Sequence, residues 1–149
     1  MQEAWGGSGQ GLGAVKIPRQ RAVDQGHAAG HGQLPPDVSG RHVLIVDFAY
    51  DYETLMATAA QALSILVLDH LKTAQADLLK VPVAGAFGEP VEGGNVHALF
   101  DMNRSGAGLA WDYFFAGQPR PALIDHIEDR DLWRFKLPGT REVLSNLFS

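Results

Sequence analysis

The chain has no cysteine among its 149 residues, which excludes disulfides and thiolate metal sites. Its longest apolar runs fall far short of the roughly 20 residues that a membrane span needs. The N-terminus lacks a basic stretch followed by an apolar one, so no secretory signal is expected. A cytoplasmic protein without a membrane partner is the resulting default. A surplus of positive charge is missing as well: the net charge is −5 and the pI about 5.6. That balance argues against a broad basic surface, so duplex nucleic acid is not an expected partner. A small phosphate ligand, which needs positive charge only locally, is compatible with it.

What is present is enough for one domain. The hydrophobic fraction of 46% and the charged fraction of 19% are ordinary for a globular chain. A domain of this length buries roughly 68–70% of the surface that its unfolded chain exposes. Charge and glycine are unevenly placed. Residues 1–40 hold three bases (Lys16, Arg19, Arg21), three acids (Glu3, Asp24, Asp37) and nine of the 17 glycines, so the whole excess of acid belongs to residues 41–149. With almost no apolar periodicity, residues 1–31 read as a flexible glycine-rich arm ahead of an α/β domain over 32–149. The Gly9–Ala14 stretch "GQGLGA" fits G-x-G-x-x-A, but no strand precedes it, so a linker is the better reading. Asp24, His27 and His31 could hold a metal only if their glycine-broken stretch were helical.

From His42 the pattern alternates. "HVLIVDF" (42–48) is an apolar, β-branched run suited to a strand buried on both faces. "YETLMATAAQAL" (52–63) puts Leu55, Met56, Ala59 and Leu63 on one helical face, and "SILVLD" (64–69) is the next strand. A βαβ unit follows, and with it a parallel sheet with flanking helices, whose ligands bind beyond the carboxyl ends of its strands. Asp47 and Asp69 fall on that edge, with His70 beside them.

"VPVAGAFGEPVEGGN" (81–95) reads as a long loop and "VHALFD" (96–101) as a short strand. "SGAGLAWDYFFA" (105–116) sets Ala107, Ala110, Trp111 and Phe114 at helical spacing with Ser105 as N-cap, and a helix starting there would turn free N–H groups toward an anion. Pro121 opens a further helix with Leu123, Ile124 and Ile127 on its apolar face and a crowd of charge at its end, Asp125 to Asp131. Without further information that end is a solvated helix terminus.

Four stretches in order, "VDF" (46–48), "VLDHLKTA" (67–74), "FDMNRSGAGLAW" (100–111) and "IEDRDLWRF" (127–135), resemble successive motifs of the DHH phosphoesterase superfamily, in its DHH-type phosphohydrolase subgroup. The resemblance spans about residues 32–143. It implies the N-terminal α/β domain of those enzymes and a manganese-dependent hydrolase of phosphate esters or anhydrides. By position it implies Asp47 as a metal-bridging carboxylate, His70 as a metal ligand, Asp69 as the acid supporting the site and Asp129 as a further metal ligand; in a hydrolase, the helix start at Ser105 would serve as a phosphate contact. Hard divalent ions take carboxylate oxygen and imidazole nitrogen, so the residue types suit Mn²⁺ or Mg²⁺.

Two departures shape the functional expectation. Leu71 stands where the signature has its second histidine, the one that meets substrate phosphate. Nothing before residue 32 reads as the family's first ligand-bearing strand, and the second domain would follow "LPGTREV" (137–143). The expectation is a copy truncated at both ends, incomplete or inactive, with one weak Mn²⁺ or Mg²⁺ site. If active, it takes a phosphate ester, a nucleotide or a short oligonucleotide, with homo-oligomerisation open. The alternative is a non-catalytic α/β remnant with a weak single metal site or an interaction role.

Overall fold

The computed structural model describes residues 26–84 and 94–147. The arm before residue 26, with Asp24 and the Gly9–Ala14 stretch, lies outside the described residues, as does the middle of the 81–95 loop. Three strands, β1 (His42–Val46), β2 (Ser64–Asp69) and β3 (Val96–Phe100), form a parallel sheet in the order β1-β2-β3. Helices α1 (Tyr52–Ala59) and α2 (Lys72–Asp77) lie in the two crossovers, and α3 (Gly106–Phe114), α4 (Ala122–Asp131) and α5 (Thr140–Leu147) follow β3. The chain is an α/β fold, a parallel sheet with flanking helices.

The central strand is the apolar run that the composition demands. All six residues of β2 are buried, because side chains alternate between two covered faces. Ile65 and Val67 join Ile45, Leu55, Ala59, Leu78, Val96 and Ala98 on one face, and Leu66 and Leu68 pack against Leu109 of α3 on the other. Each fully buried Leu, Ile or Val contributes about 1.5–3 kcal/mol. The first strand differs from the sequence expectation of burial on both faces: β1 is an edge strand and Leu44 is 40% exposed.

Helix boundaries also moved where local pattern met tertiary packing. The first helix is capped by Asp51, whose Oδ1 accepts the Thr54 amide at 2.8 Å, and it ends at Ala59. Leu63 is therefore outside it and half exposed, its amide bonded to the Arg41 carbonyl at the approach to β2. On α3 the inward stripe centres on Leu109, with Ala110, Tyr113 and Phe114 beside it, while Trp111 turns away and stacks on Phe115. The buried residues of α4 are Glu128 and Asp129, so the solvated helix end read from its charge is corrected. Both acids are held by partners that no sequence pattern announced.

Candidate functional site

The site begins with register. Val46 pairs with Leu68, and Asp47 continues the ladder with its amide on the Leu68 carbonyl at 2.9 Å. The chain then leaves the strand through a left-handed turn at Asp47 itself, φ 58°. Aspartate is one of the few residues that adopts this conformation readily. Its carboxylate thus stands beside the carboxyl end of β2, where Asp69 and His70 emerge.

Asp47, Asp69 and His70 each offer one ligand atom within 4.8 Å of the others, and they form the one such group among the described residues. The imidazole Nε2 of His70 lies 2.9 Å from Asp47 Oδ1, and the His70 amide donates to Asp69 Oδ1 at 2.7 Å. Asp69 is 0% exposed, yet its Oδ2 has no hydrogen-bond partner. A buried carboxylate oxygen without a partner is costly, and a cation is the natural group to satisfy it. The donor set of two carboxylates and an imidazole fits a hard divalent ion, which would replace the His70–Asp47 contact. Partial burial pushes the Asp47 carboxyl above the usual range; His70 opposes that, while the charges of Asp131 and Asp69 add to it.

The structure does not bring the other two sequence candidates into this group. Asp129 is buried, and its carboxylate is spent on the chain that follows: Oδ1 accepts the Lys136 amide at 2.8 Å, and Oδ2 accepts the Leu137 amide at 3.0 Å and the Thr140 hydroxyl at 2.7 Å. Burial raises its pKa, but those three donors outweigh burial and hold it below the ordinary carboxylate value. Asp129 is the organiser of a turn. The acid of the same "EDRD" run whose charge reaches Asp47 is Asp131, exposed at the end of α4, which the sequence did not single out. Two residues, little more than half a helical turn, separate acids that the sequence presents as equivalent.

Ser105 is 0% exposed and serves as the α3 N-cap, its Oγ accepting the Gly108 amide at 3.0 Å. The anion at that helix start is internal: Glu128 Oε2 accepts the Ser105 amide at 2.9 Å. A buried acid at a helix N-terminus is stabilised by the unpaired amides there. Glu128 Oε1 in turn takes Arg120 at 2.9 Å, and Arg120 Nε reaches Asp112 at 2.9 Å. Arg104 closes the set, bonding Asp101 at 2.7 Å and Asp112 at 3.0 Å. The Arg120 and Arg104 donors hold Asp112 below its ordinary carboxylate value, against a smaller opposing effect of burial. Gly108 is glycine because a Cβ there would collide with Glu128 Oε2.

Leu71 caps α2 without a side-chain bond and is 42% exposed at this edge. His31, from the segment ahead of the core, packs its ring on Phe48 at 5.1 Å, one residue from Asp47. His27 and His31 do not join the acid and imidazole cluster.

No protein-family model matches the chain, and no solved structure matches it. An uncharacterised protein of Acanthamoeba polyphaga mimivirus is 35% identical over 111 residues, covering 74% of this chain. The chain spans about a quarter of that protein's length, 24%.

Proposed function

We propose that the chain carries the metal site of a DHH-type phosphohydrolase, with one divalent cation, Mn²⁺ or Mg²⁺, held by Asp47, Asp69 and His70. The observation that carries this reading is the fully buried Asp69 with an unpartnered Oδ2, set within 4.8 Å of the other two ligand atoms. Bound there, the ion would polarise a phosphate ester and lower the pKa of a water. The residues' own parts are simpler. Asp47 and His70 exchange their mutual hydrogen bond for the ion, and the His70 amide fixes the Asp69 carboxylate through Oδ1. Asp131 is placed to add charge from the end of α4.

A second reading, a non-catalytic remnant with the same ion, is favoured by Leu71, which offers phosphate neither charge nor a donor. Titration calorimetry with Mn²⁺ and a hydrolysis assay on a phosphodiester and a short oligonucleotide separate the two. One weakly bound ion, lost in Asp69→Asn, supports the site. Manganese-dependent turnover that disappears in the same variant supports the hydrolase, and binding without turnover supports the remnant. Absence of any Mn²⁺ binding by the folded chain sinks both.

A further inference from the structure

The two edges of the sheet differ. Beyond β3, Ala84 donates its amide to the Ala98 carbonyl at 2.9 Å and Ala98 donates to the Pro82 carbonyl at 3.0 Å, so the segment before the masking loop closes that side. Among the described residues β1 pairs with β2 alone. The Asp47 amide is bonded to the Leu68 carbonyl, and backbone groups alternate in direction along a strand. Val43, Ile45 and Asp47 therefore turn theirs toward β2, while His42, Leu44 and Val46 turn theirs outward. No described residue bonds the outward amide or carbonyl of Leu44 or Val46. Soluble proteins blunt such an edge with a lysine or acid, a proline or a bulge, and "HVLIV" has none of these. Leu44 at its centre is 40% exposed.

The edge is complementary to itself. Turned about a two-fold axis at Leu44, a second β1 runs antiparallel to the first, with Leu44 facing Leu44, His42 facing Val46 and Val43 facing Ile45. In this register all three outward residues are matched, and Leu44 exchanges both backbone bonds with its counterpart. It also sets Arg41, just before the strand, opposite Asp47, just after it, at both ends of the joint. Arg41 is exposed, and its guanidinium has donors for more than one acceptor; the Asp47 side chain is half exposed. Opposite charges that face each other across strands support pairing, and sliding the register by two residues loses the match. A foreign strand would have to reproduce that order of charges, which a second copy has by symmetry.

We infer that the open edge of β1 is a homodimer interface, at which two copies join their β1 strands antiparallel and the two sheets become one in the order β3-β2-β1-β1-β2-β3. The two Asp47 carboxylates then lie at opposite ends of the joint, each facing Arg41 of the other copy. The interface goes beyond the phosphohydrolase reading and does not depend on it.

The test is sedimentation of the full chain in EDTA over a range of concentrations, together with oxidative cross-linking through single introduced cysteines, which the cysteine-free sequence makes unambiguous. The wild type should form dimers as its concentration rises. Leu44→Lys sets two like charges on the axis and should leave a monomer with unchanged circular dichroism. Arg41→Glu turns two ion pairs into repulsions and should weaken association about tenfold. Leu44→Cys should cross-link into dimers under mild oxidation, because residues paired in this way have Cα atoms about 5.5 Å apart, within reach of a disulfide. Ser39→Cys, exposed but beyond the start of the strand and so at opposite ends of the joint in the two copies, should not. The inference is overturned if the wild type stays a monomer at every concentration, the result also expected if residues 1–25 take the edge. It is overturned as well if Leu44→Lys still dimerises, if Arg41→Glu associates like the wild type, or if Ser39→Cys cross-links as readily as Leu44→Cys. Should Leu44→Lys fail to fold, the two cysteine variants decide.

Discussion

Gly106 packs directly on Asp47. A Cβ added to Gly106 would stand 2.6 Å from the Asp47 Cβ and 3.0 Å from its Cα and amide nitrogen. The start of α3 therefore sets where the first candidate ligand can be. Gly106→Ala should displace one or the other, lowering stability by about 1–3 kcal/mol as overpacking does. It should also weaken Mn²⁺ binding. Urea denaturation and calorimetry check the two parts, and an unchanged affinity would show that the contact does not position the carboxylate.

Asp47 sits in a left-handed conformation with its pKa raised by burial. Its ionised form is thus disfavoured by folding, and in the absence of metal Asp47→Asn should leave stability unchanged or slightly raised while abolishing ion binding. Asn tolerates the same backbone. Asp47→Val should lose both, because a β-branched residue resists that φ. Thermal melts of the two variants with and without Mn²⁺ distinguish backbone from charge.

Asp129 and Asp131 should behave oppositely. Asp129→Ala leaves the amides of Lys136 and Leu137 without their side-chain acceptor, so the melting temperature should fall by several degrees. Asp131→Asn removes an exposed charge that acts on Asp47, so it should reduce Mn²⁺ affinity with little change in melting temperature. The reverse pattern would restore Asp129 as the ligand.

His97 is 4% exposed, its Nε2 has no partner, and burial lowers its pKa below the ordinary value. The unfolded chain then binds the proton more readily than the folded one. The stability tied to His97 is complete above the unfolded value near 6.5 and declines as pH falls below it. Denaturation midpoints measured between about pH 7 and pH 5 should show a decline that His97→Leu flattens.

Much of this was legible in the sequence. The continuous apolar run of 64–69 gave the central buried strand, the alternation of strand and helix gave a parallel sheet, and Asp47 and Asp69 were placed at neighbouring carboxyl ends because strand register follows from that order. Ser105 was legible as an N-cap from its type and its place before an apolar stretch. These inferences need only local periodicity and the chain's connectivity.

Tertiary structure decided the rest. The sequence by itself determined that acids crowd the end of α4, but not that Glu128 turns to the α3 amides and Asp129 to the following turn, while Asp131 stays exposed with its charge felt at Asp47. Neighbouring residues on a helix point about 100° apart, so which of them meets a site depends on how the helix is rotated against the sheet. That rotation comes from packing on α3. In the same way the buried, half-partnered carboxylate of Asp69 and the open edge at Leu44 are consequences of what surrounds them. Burial and strain are properties of the assembled fold, and no single stretch of sequence carries them.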